Sequence, residues 1–263
     1  MKINDFGGVT APDLTSMKEL AKYNSLRDKG ISILFCTPTL DGQVSIDFTT
    51  SLIQSIDLLN KLGIPVIVGK SNNSCFIDLS RNLFAAQFMK CKCSHLWQVD
   101  SDMSWNPEAI LDMLLKDKEF IAGIGRKKTD KEEYAGINYT DENGTILGET
   151  GETEEDVLIR MKMIGGAFTL HKRSVFDKLA KKFTSLKAML GTTEGYSFYS
   201  CNYYKHAFCT EDYSFCALCE QAGIKIWCMP NIDMGHKGYT NYAGNHFKYL
   251  KGLKIPEIEK QYV

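Results

Sequence analysis

The chain is expected to fold as an α/β protein, with a mostly parallel sheet flanked by helices and a smaller region to one side. Three observations predict this. Short apolar runs, each the length of one strand, alternate with segments of helical period. Glycines and prolines stand where one kind of segment gives way to the next. A length of 263 residues, 44% hydrophobic and 24% charged, is enough to bury a sizeable core.

The elements follow in order. Residues 14–28 read as an exposed or peripheral helix. Ile31-Ser32-Ile33-Leu34-Phe35-Cys36 is a compact apolar strand stopped by Thr37-Pro38-Thr39. Ser45 to Leu62 has helical period, carried by Ile46, Leu52, Ile53, Ile56, Leu59 and Leu62, and Gly63 ends it. Ile64 to Val68 is a second strand and Ile77 to Met89 a second helix. His95 to Val99 is the third strand. Pro107 to Leu115 is the third helix, with Pro107 suited to a first turn. Phe120 to Gly123 is a fourth strand.

The pattern then changes. Arg126 to Glu155 is polar and turn-rich, with Asn143-Gly144 a good hairpin turn. Met163 to Leu170 is expected as one strand carrying Gly165-Gly166, and Val175 to Lys182 as a helix. Residues 186–208 are aromatic and irregular, as in a covering loop. Glu211 to Ala222 is helical, Ile224 to Cys228 a late strand, and Ile232 to Gly238 brings in His236. The absence of repeats or a low-complexity linker favours one domain over residues 1–263. A first half spans about 30–125, a second about 126–240, and a tail 241–263.

A net charge of −1 supplies no global field for nucleic acid or anionic membrane. No apolar run reaches the ~20 residues of a membrane span, so any work at a membrane would need peripheral recruitment. Met1 to Gly30 has no continuous apolar core of the leader type. With nine scattered cysteines, this points to reduced thiols and a cytoplasmic protein. Cys209, Cys216, Cys219 and Cys228 invite a zinc reading, but their spacing matches no paired knuckle; buried thiols are expected instead.

Parallel α/β sheets bind ligands beyond the carboxyl ends of their strands, where Thr37, Lys70 and Asp100 all fall. The run His95-Leu96-Trp97-Gln98-Val99 ends in Asp100-Ser101-Asp102. In extended backbone, alternate side chains point the same way, so Asp100 and Asp102 can reach one point. Two carboxylates there suit a hard divalent cation also held by phosphate oxygens; the plainer reading is two solvated aspartates at a helix entrance.

With Ser80-Arg81-Asn82, Gly165-Gly166, Glu211-Asp212-Tyr213-Ser214-Phe215-Cys216 and Gly235-His236 following in order, residues 31–240 resemble GT-A fold glycosyltransferases. The likeness is to the compact enzymes of large DNA viruses, phages and bacteria, and a viral protein would work in the host cytoplasm. The resemblance implies a Rossmann-like nucleotide-binding half over about 30–125 and a donor-sugar and acceptor half over about 126–240. It also implies Mn²⁺ or Mg²⁺ at the Asp-x-Asp motif, a nucleotide-sugar donor such as a UDP- or GDP-sugar, and a glycan or glycoconjugate acceptor.

Under that resemblance Asp102 ligates the metal directly, and Asp100 holds ribose or metal-bound water. His236 is a further metal ligand or diphosphate contact, or else a histidine in a glycine-flanked turn. Thr37, Pro38, Thr39, Ser101, Arg81 and Asn82 belong to the nucleotide side; on its residues alone Arg81 also reads as a helix-surface arginine with a buried stem. Lys70 is a candidate for diphosphate or nucleobase, or a solvated loop lysine. Gly165 and Gly166 admit the donor sugar to the backbone, or serve tight packing. Tyr196, Phe198, Tyr199, Tyr203 and Tyr204 could stack on sugars or simply pack.

Asp212 is the expected general base of an inverting transfer, taking the proton from the acceptor hydroxyl, with Glu211 orienting it or binding acceptor. Thr210-Glu211-Asp212 also looks like a capped helix start. The acidic pair followed by Gly235-His236 equally resembles retaining transferases, in which histidine binds metal and no side-chain base is required. Sugar nucleotidyl transfer and a catalytically silent carbohydrate- or nucleotide-binding protein are the other readings. A nicotinamide dehydrogenase is disfavoured. Cys36-Thr37-Pro38-Thr39 lacks the glycine fingerprint, and Gly123-Ile124-Gly125 meets Lys128 where its third glycine should fall.

Overall fold

Apolar runs with no polar face must be covered on both sides, and that requirement organises the molecule. A computed structural model describes residues 19–69, 74–151, 153, 155–204, 207–238 and 241–252. Lys70 and the tail beyond 252 lie outside the described residues.

The chain opens with a 3-10 helix, Glu19–Leu26, then β1 (Ile33–Cys36), α1 (Ile46–Lys61), β2 (Val66–Val68), α2 (Ile77–Lys90) and β3 (His95–Val99). Next come β4 (Met103–Trp105), α3 (Ala109–Leu115), β5 (Phe120–Gly123), β6 (Gly136–Asn138), β7 (Gly148–Thr150) and β8 (Val157–Ile164). The second half continues with β9 (Phe168–Lys172), α4 (Arg173–Lys182), the hairpin β10 (Lys187–Leu190) and β11 (Thr193–Tyr196), and the hairpin β12 (Asn202–Tyr204) and β13 (Ala207–Cys209). It closes with α5 (Glu211–Gln221), β14 (Ile226–Cys228), β15 (Met234–Lys237), β16 (Asn241–Gly244) and α6 (His246–Gly252).

The main sheet has nine strands in the order β2-β1-β3-β9-β5-β14-β8-β6, with β7 also on β8. β2, β1, β3, β5 and β14 run the same way; β9 lies antiparallel between β3 and β5, and β8 antiparallel to β14. The fold is thus a mixed α/β layer structure with a largely parallel sheet. Alternate residues of the central strands feed two cores. Ile33, Phe35, Trp97 and Val99 pack with α1 and α3, whereas Leu34, Cys36 and Leu96 pack with α2, α4 and α5.

Several expectations change. Met163 to Leu170 is not one strand: β8 ends at Ile164, the chain reverses through Gly165-Gly166-Ala167, and β9 begins at Phe168. Residues 186–208 hold two hairpins rather than an irregular loop. The 3-10 helix is less peripheral than expected, because Tyr23 and Leu26 are buried and the Tyr23 hydroxyl donates to Asp112 Oδ1 at 2.8 Å. α1 is capped by Ser45, as its sequence suggests, but Ile46 and Ile53 face solvent while Ser51 and Ser55 are buried. The reason is β4, which the sequence does not announce. Ser51 Oγ accepts the Trp105 backbone N–H at 3.1 Å, and Ser55 Oγ accepts the indole Nε1–H at 3.0 Å. A buried tryptophan needs an acceptor, so α1 turns its serines inward.

The Asn143-Gly144 turn forms, with Gly144 at φ 83° and a bridge between Thr140 and Ile146. Cys216, Cys219 and Cys228 are buried free thiols. Among the described residues, no helix is long and apolar enough to cross a membrane.

Candidate functional site

Beyond the carboxyl ends of β3 and β5 lies a cavity of about 150 Å³, lined by Asp100, Gly125, Arg126, Gly165, Gly166, Asp212 and His236 among others. Four segments meet there. β3 delivers Asp100, the chain after β5 delivers Gly125 and Arg126, the β8–β9 reversal delivers the glycines, and the first turn of α5 delivers Asp212. His236 arrives on β15, which pairs with β4 in a separate three-stranded sheet and sets His236 opposite Met103. That pairing brings residue 236 beside the chain that has just left Asp102; the Lys237 N–H donates to the Asp102 carbonyl at 2.7 Å.

The backbone at Asp100-Ser101-Asp102 is not extended. It is a tight turn closed by the Met103 N–H on the Asp100 carbonyl at 3.1 Å. The two carboxylates therefore part company, correcting the expectation from strand alternation. Asp100 Oδ1 turns to Arg81, whose Nη2 stands at 2.8 Å. Asp102 Oδ2 meets Lys128 Nζ at 2.5 Å, and its Oδ1 lies 3.4 Å from His236 Nε2. Ser101 occupies the middle of the turn.

Arg81 is 2% exposed, and its fork is spent inside the protein. Besides Asp100, Nε donates to Glu211 Oε1 and Nη1 to Gln98 Oε1, both at 3.2 Å. Burial opposes its charge, but Asp100 and Glu211 hold its pKa above the ordinary arginine value. Burial likewise raises the Asp100 and Glu211 carboxyls, against the pull of Arg81. Arg81 thus ties the end of β3 to the start of α5. Asn82 is buried too, with both ends of its amide on the Tyr199 backbone, at 2.8 Å to N–H and 2.7 Å to carbonyl. Tyr199 stacks on Phe215 at 4.2 Å, and Tyr196 on Phe198 at 5.0 Å.

Asp212 is held from three sides. Oδ2 accepts the Gly166 N–H at 3.0 Å, while Oδ1 accepts the Tyr213 N–H at 2.8 Å and the Thr210 hydroxyl. Glu211, by contrast, points inward to Arg81. Thr37, Pro38 and Thr39 follow β1 but do not line the cavity; Thr37 Oγ1 is buried without a hydrogen-bond partner. Tyr199, considered for sugar stacking, packs on Phe215 instead. Lys128 and Gln98 were missed by sequence reasoning. Only Lys128 left a trace there, in the basic run Arg126-Lys127-Lys128 just after β5.

A divalent ion can be tested against these donors. Among the described residues, no three His, Cys, Asp or Glu side chains gather as a metal cluster, so those residues offer a pair rather than a full set of ligands. The pair Asp102–His236 fits that lesser role. His236 Nδ1 sits 2.8 Å from the Arg126 carbonyl, which only accepts, so Nδ1 carries the proton. Nε2 then faces the Asp102 carboxylate either as an imidazolium or across a shared cation. On an octahedral ion with ligands at about 2.1 Å, neighbouring donors stand about 3 Å apart, close to the spacing seen. Burial lowers the His236 pKa, but Asp102 and the Arg126 carbonyl raise it more, to above its ordinary value. Burial raises the Asp102 pKa, but His236 and Lys128 bring it down to about 2.

No known family pattern and no curated protein matches the chain. Among solved structures, A197 from STIV is similar at 15% identity and TM-score 0.46, covering 79% of this chain and 86% of that one. The inositol-1-phosphate CTP transferase of T. maritima is similar at 13% identity and TM-score 0.40, covering 79% and 89%. The 4-diphosphocytidyl-2C-methyl-D-erythritol synthase of Anaerococcus prevotii is similar at 10% identity and TM-score 0.32, covering 59% and 78%.

Proposed function

We propose that the protein is a glycosyltransferase of the GT-A kind, moving a sugar from a nucleoside-diphosphate sugar to a glycan or glycoconjugate hydroxyl. One observation carries the reading: His236, paired with Asp102, and Asp212 face the same cavity. The first pair can hold a divalent cation, and Asp212 can accept a proton.

Asp102 Oδ1 and His236 Nε2 would hold Mn²⁺ or Mg²⁺, with the remaining positions left to phosphate oxygens and water; the nitrogen donor favours Mn²⁺. The ion's part is to offset charge on the departing nucleoside diphosphate. The carbonyl of Arg126 fixes the His236 ring and tautomer. Asp100, with Oδ1 on Arg81, keeps Oδ2 for a donor hydroxyl or a metal-bound water. Gly165 and Gly166 let the donor sugar approach the backbone.

Asp212 takes the proton of the acceptor hydroxyl as that oxygen attacks the anomeric carbon, which gives inversion. Its three donors fix the carboxylate's orientation, so it need not reorganise during the transfer. Glu211 acts through Arg81 and does not reach the cavity itself.

The test is a panel of UDP- and GDP-sugars with Mn²⁺ or with EDTA, scoring donor binding and release of nucleoside diphosphate. Asp102→Ala should lose metal-dependent binding. Asp212→Asn should keep it and lose transfer. Transfer retained in Asp212→Asn, with the anomeric configuration preserved in the product, would point to the retaining course. In a parallel arm with nucleoside triphosphates and sugar 1-phosphates, release of pyrophosphate would identify sugar nucleotidyl transfer instead. No donor bound with any metal would overturn the reading.

A further inference from the structure

Asp102 has a basic side chain against each of its oxygens, His236 on one and Lys128 on the other. Lys128 is the unexpected one, because its ammonium stands beside a carboxylate proposed to serve a metal. A divalent ion entering between Asp102 and His236 would meet a fixed positive charge on its first ligand, and the two cations repel.

The backbone around Lys128 is firmly tied. The Lys127 N–H donates to the Glu133 carbonyl at 2.8 Å and the Thr129 N–H to the Lys127 carbonyl at 2.9 Å. Arg126 braces the same loop, with Nη2 on the carbonyls of Thr129 and Asp130 at 3.2 and 3.1 Å. The loop holds still while the four-carbon stem of Lys128, 36% exposed, can swing. Within that swing the strongest acceptor delivered by a nucleotide donor is its diphosphate, lying against the metal.

We infer that Lys128 is a ligand of the donor's diphosphate, its ammonium parked on Asp102 until donor and metal arrive. The inference rests on the proposed metal-dependent use of a nucleoside diphosphate sugar. Its consequence is thermodynamic. Lys128 on Oδ2 repels the metal on Oδ1, and the diphosphate draws that ammonium away, so each ligand assists the other beyond their direct bond. By linkage the assistance is equal in both directions. Without metal, the Lys128 ammonium is still within reach of a diphosphate, so nucleoside diphosphate retains a foothold through it.

The experiment uses the full chain, as wild type, Lys128→Met and Lys128→Arg, with unchanged thermal melts as the check on folding. Mn²⁺ is titrated by the paramagnetic resonance signal of the free ion, without nucleotide and with UDP or GDP. Binding of UDP and GDP in EDTA is measured calorimetrically. Lys128→Met should bind Mn²⁺ alone about 5-fold or more tightly than wild type, and UDP or GDP in EDTA about 5-fold or more weakly. Lys128→Arg should keep the nucleoside-diphosphate affinity. If Mn²⁺ binds with nucleotide as expected, but Lys128→Met changes neither of those affinities or only one, the role of Lys128 is overturned and the metal-dependent reading stands. If Mn²⁺ binds none of the three proteins under any condition, both are overturned.

Discussion

Gly166 lies against the guanidinium of Arg81: a β-carbon on the glycine would stand 2.8 Å from Cζ and from Nη2. Two motifs 85 positions apart in sequence, as 166 minus 81, thus meet face to face, the turn before β9 on the arginine that joins Asp100 to Glu211.

Gly166→Ala should therefore cost stability. The methyl group meets a buried guanidinium held by three partners, and overpacking of this kind costs about 1–3 kcal/mol. Gly165→Ala is the control: its β-carbon finds Ala135 at 3.5 Å and Asp212 Oδ2 at 3.7 Å, ordinary contacts. Its stability should stay within about 0.5 kcal/mol of wild type. Urea unfolding of both variants decides, and equal losses would refute the packing account.

Arg81→Met should be far more damaging. It leaves Asp100 and Glu211 facing one another without a cation, one of them buried and the other mostly so. Breaking a buried ion pair from one side costs about 3–5 kcal/mol. Adding Glu211→Gln and Asp100→Asn should recover part of that loss, because the carboxylates no longer need a counter-charge. A double-mutant cycle by denaturant unfolding measures the recovery.

The Asp102–His236 pair sets a pH window for the metal-free protein. Asp102 is depressed to about 2, so its contribution is present above the unfolded value near 3.9 and is lost as pH falls toward 2. His236 is raised, so its contribution is full below its unfolded value near 6.5 and is lost as pH climbs through the folded value. The stability difference between wild type and Asp102→Asn should be greatest at about pH 4–6 and shrink on both sides. A difference that grows from pH 6 to 9 would contradict the sign.

Metal binding should show the same group in reverse. The Nε2 proton must leave before that nitrogen can hold an ion, so Mn²⁺ affinity should rise with pH through the raised His236 value. Calorimetry in buffers of different ionisation enthalpy should find up to about one proton released per ion. His236→Gln should abolish the release.

Ser55→Ala tests the other face of the fold. The serine oxygen is the acceptor for the Trp105 indole N–H and donates to the Pro107 carbonyl at 3.2 Å, all within the core. Removing it leaves both unpaired, at a cost of about 1–3 kcal/mol by thermal or urea unfolding. Ile53→Ser, on the exposed face, should cost little.

The legible parts of this protein are those where one stretch of chain decides its own state. β1 and β5 are continuous apolar runs and β3 a largely apolar one, all buried, and α1 carries its own cap in Ser45 and its own stop in Gly63. Sequence alone therefore indicates the α/β layers and the end of the sheet at which polar residues collect. It also picks out Asp100, Asp102, Asp212 and His236 as residues of interest, though not their partners. β4 escaped because a strand of three residues has too few positions to show a period, and β9 because only the three residues Gly165 to Ala167 part it from β8, so the two read as one run; what holds them is pairing with β15 and β3. Tertiary structure alone decided that Asp100 and Asp102 serve different partners. The turn that separates them is local, but Arg81, Lys128 and His236 come from positions 19, 26 and 134 residues away, and only the assembled sheets and loops bring those groups within reach.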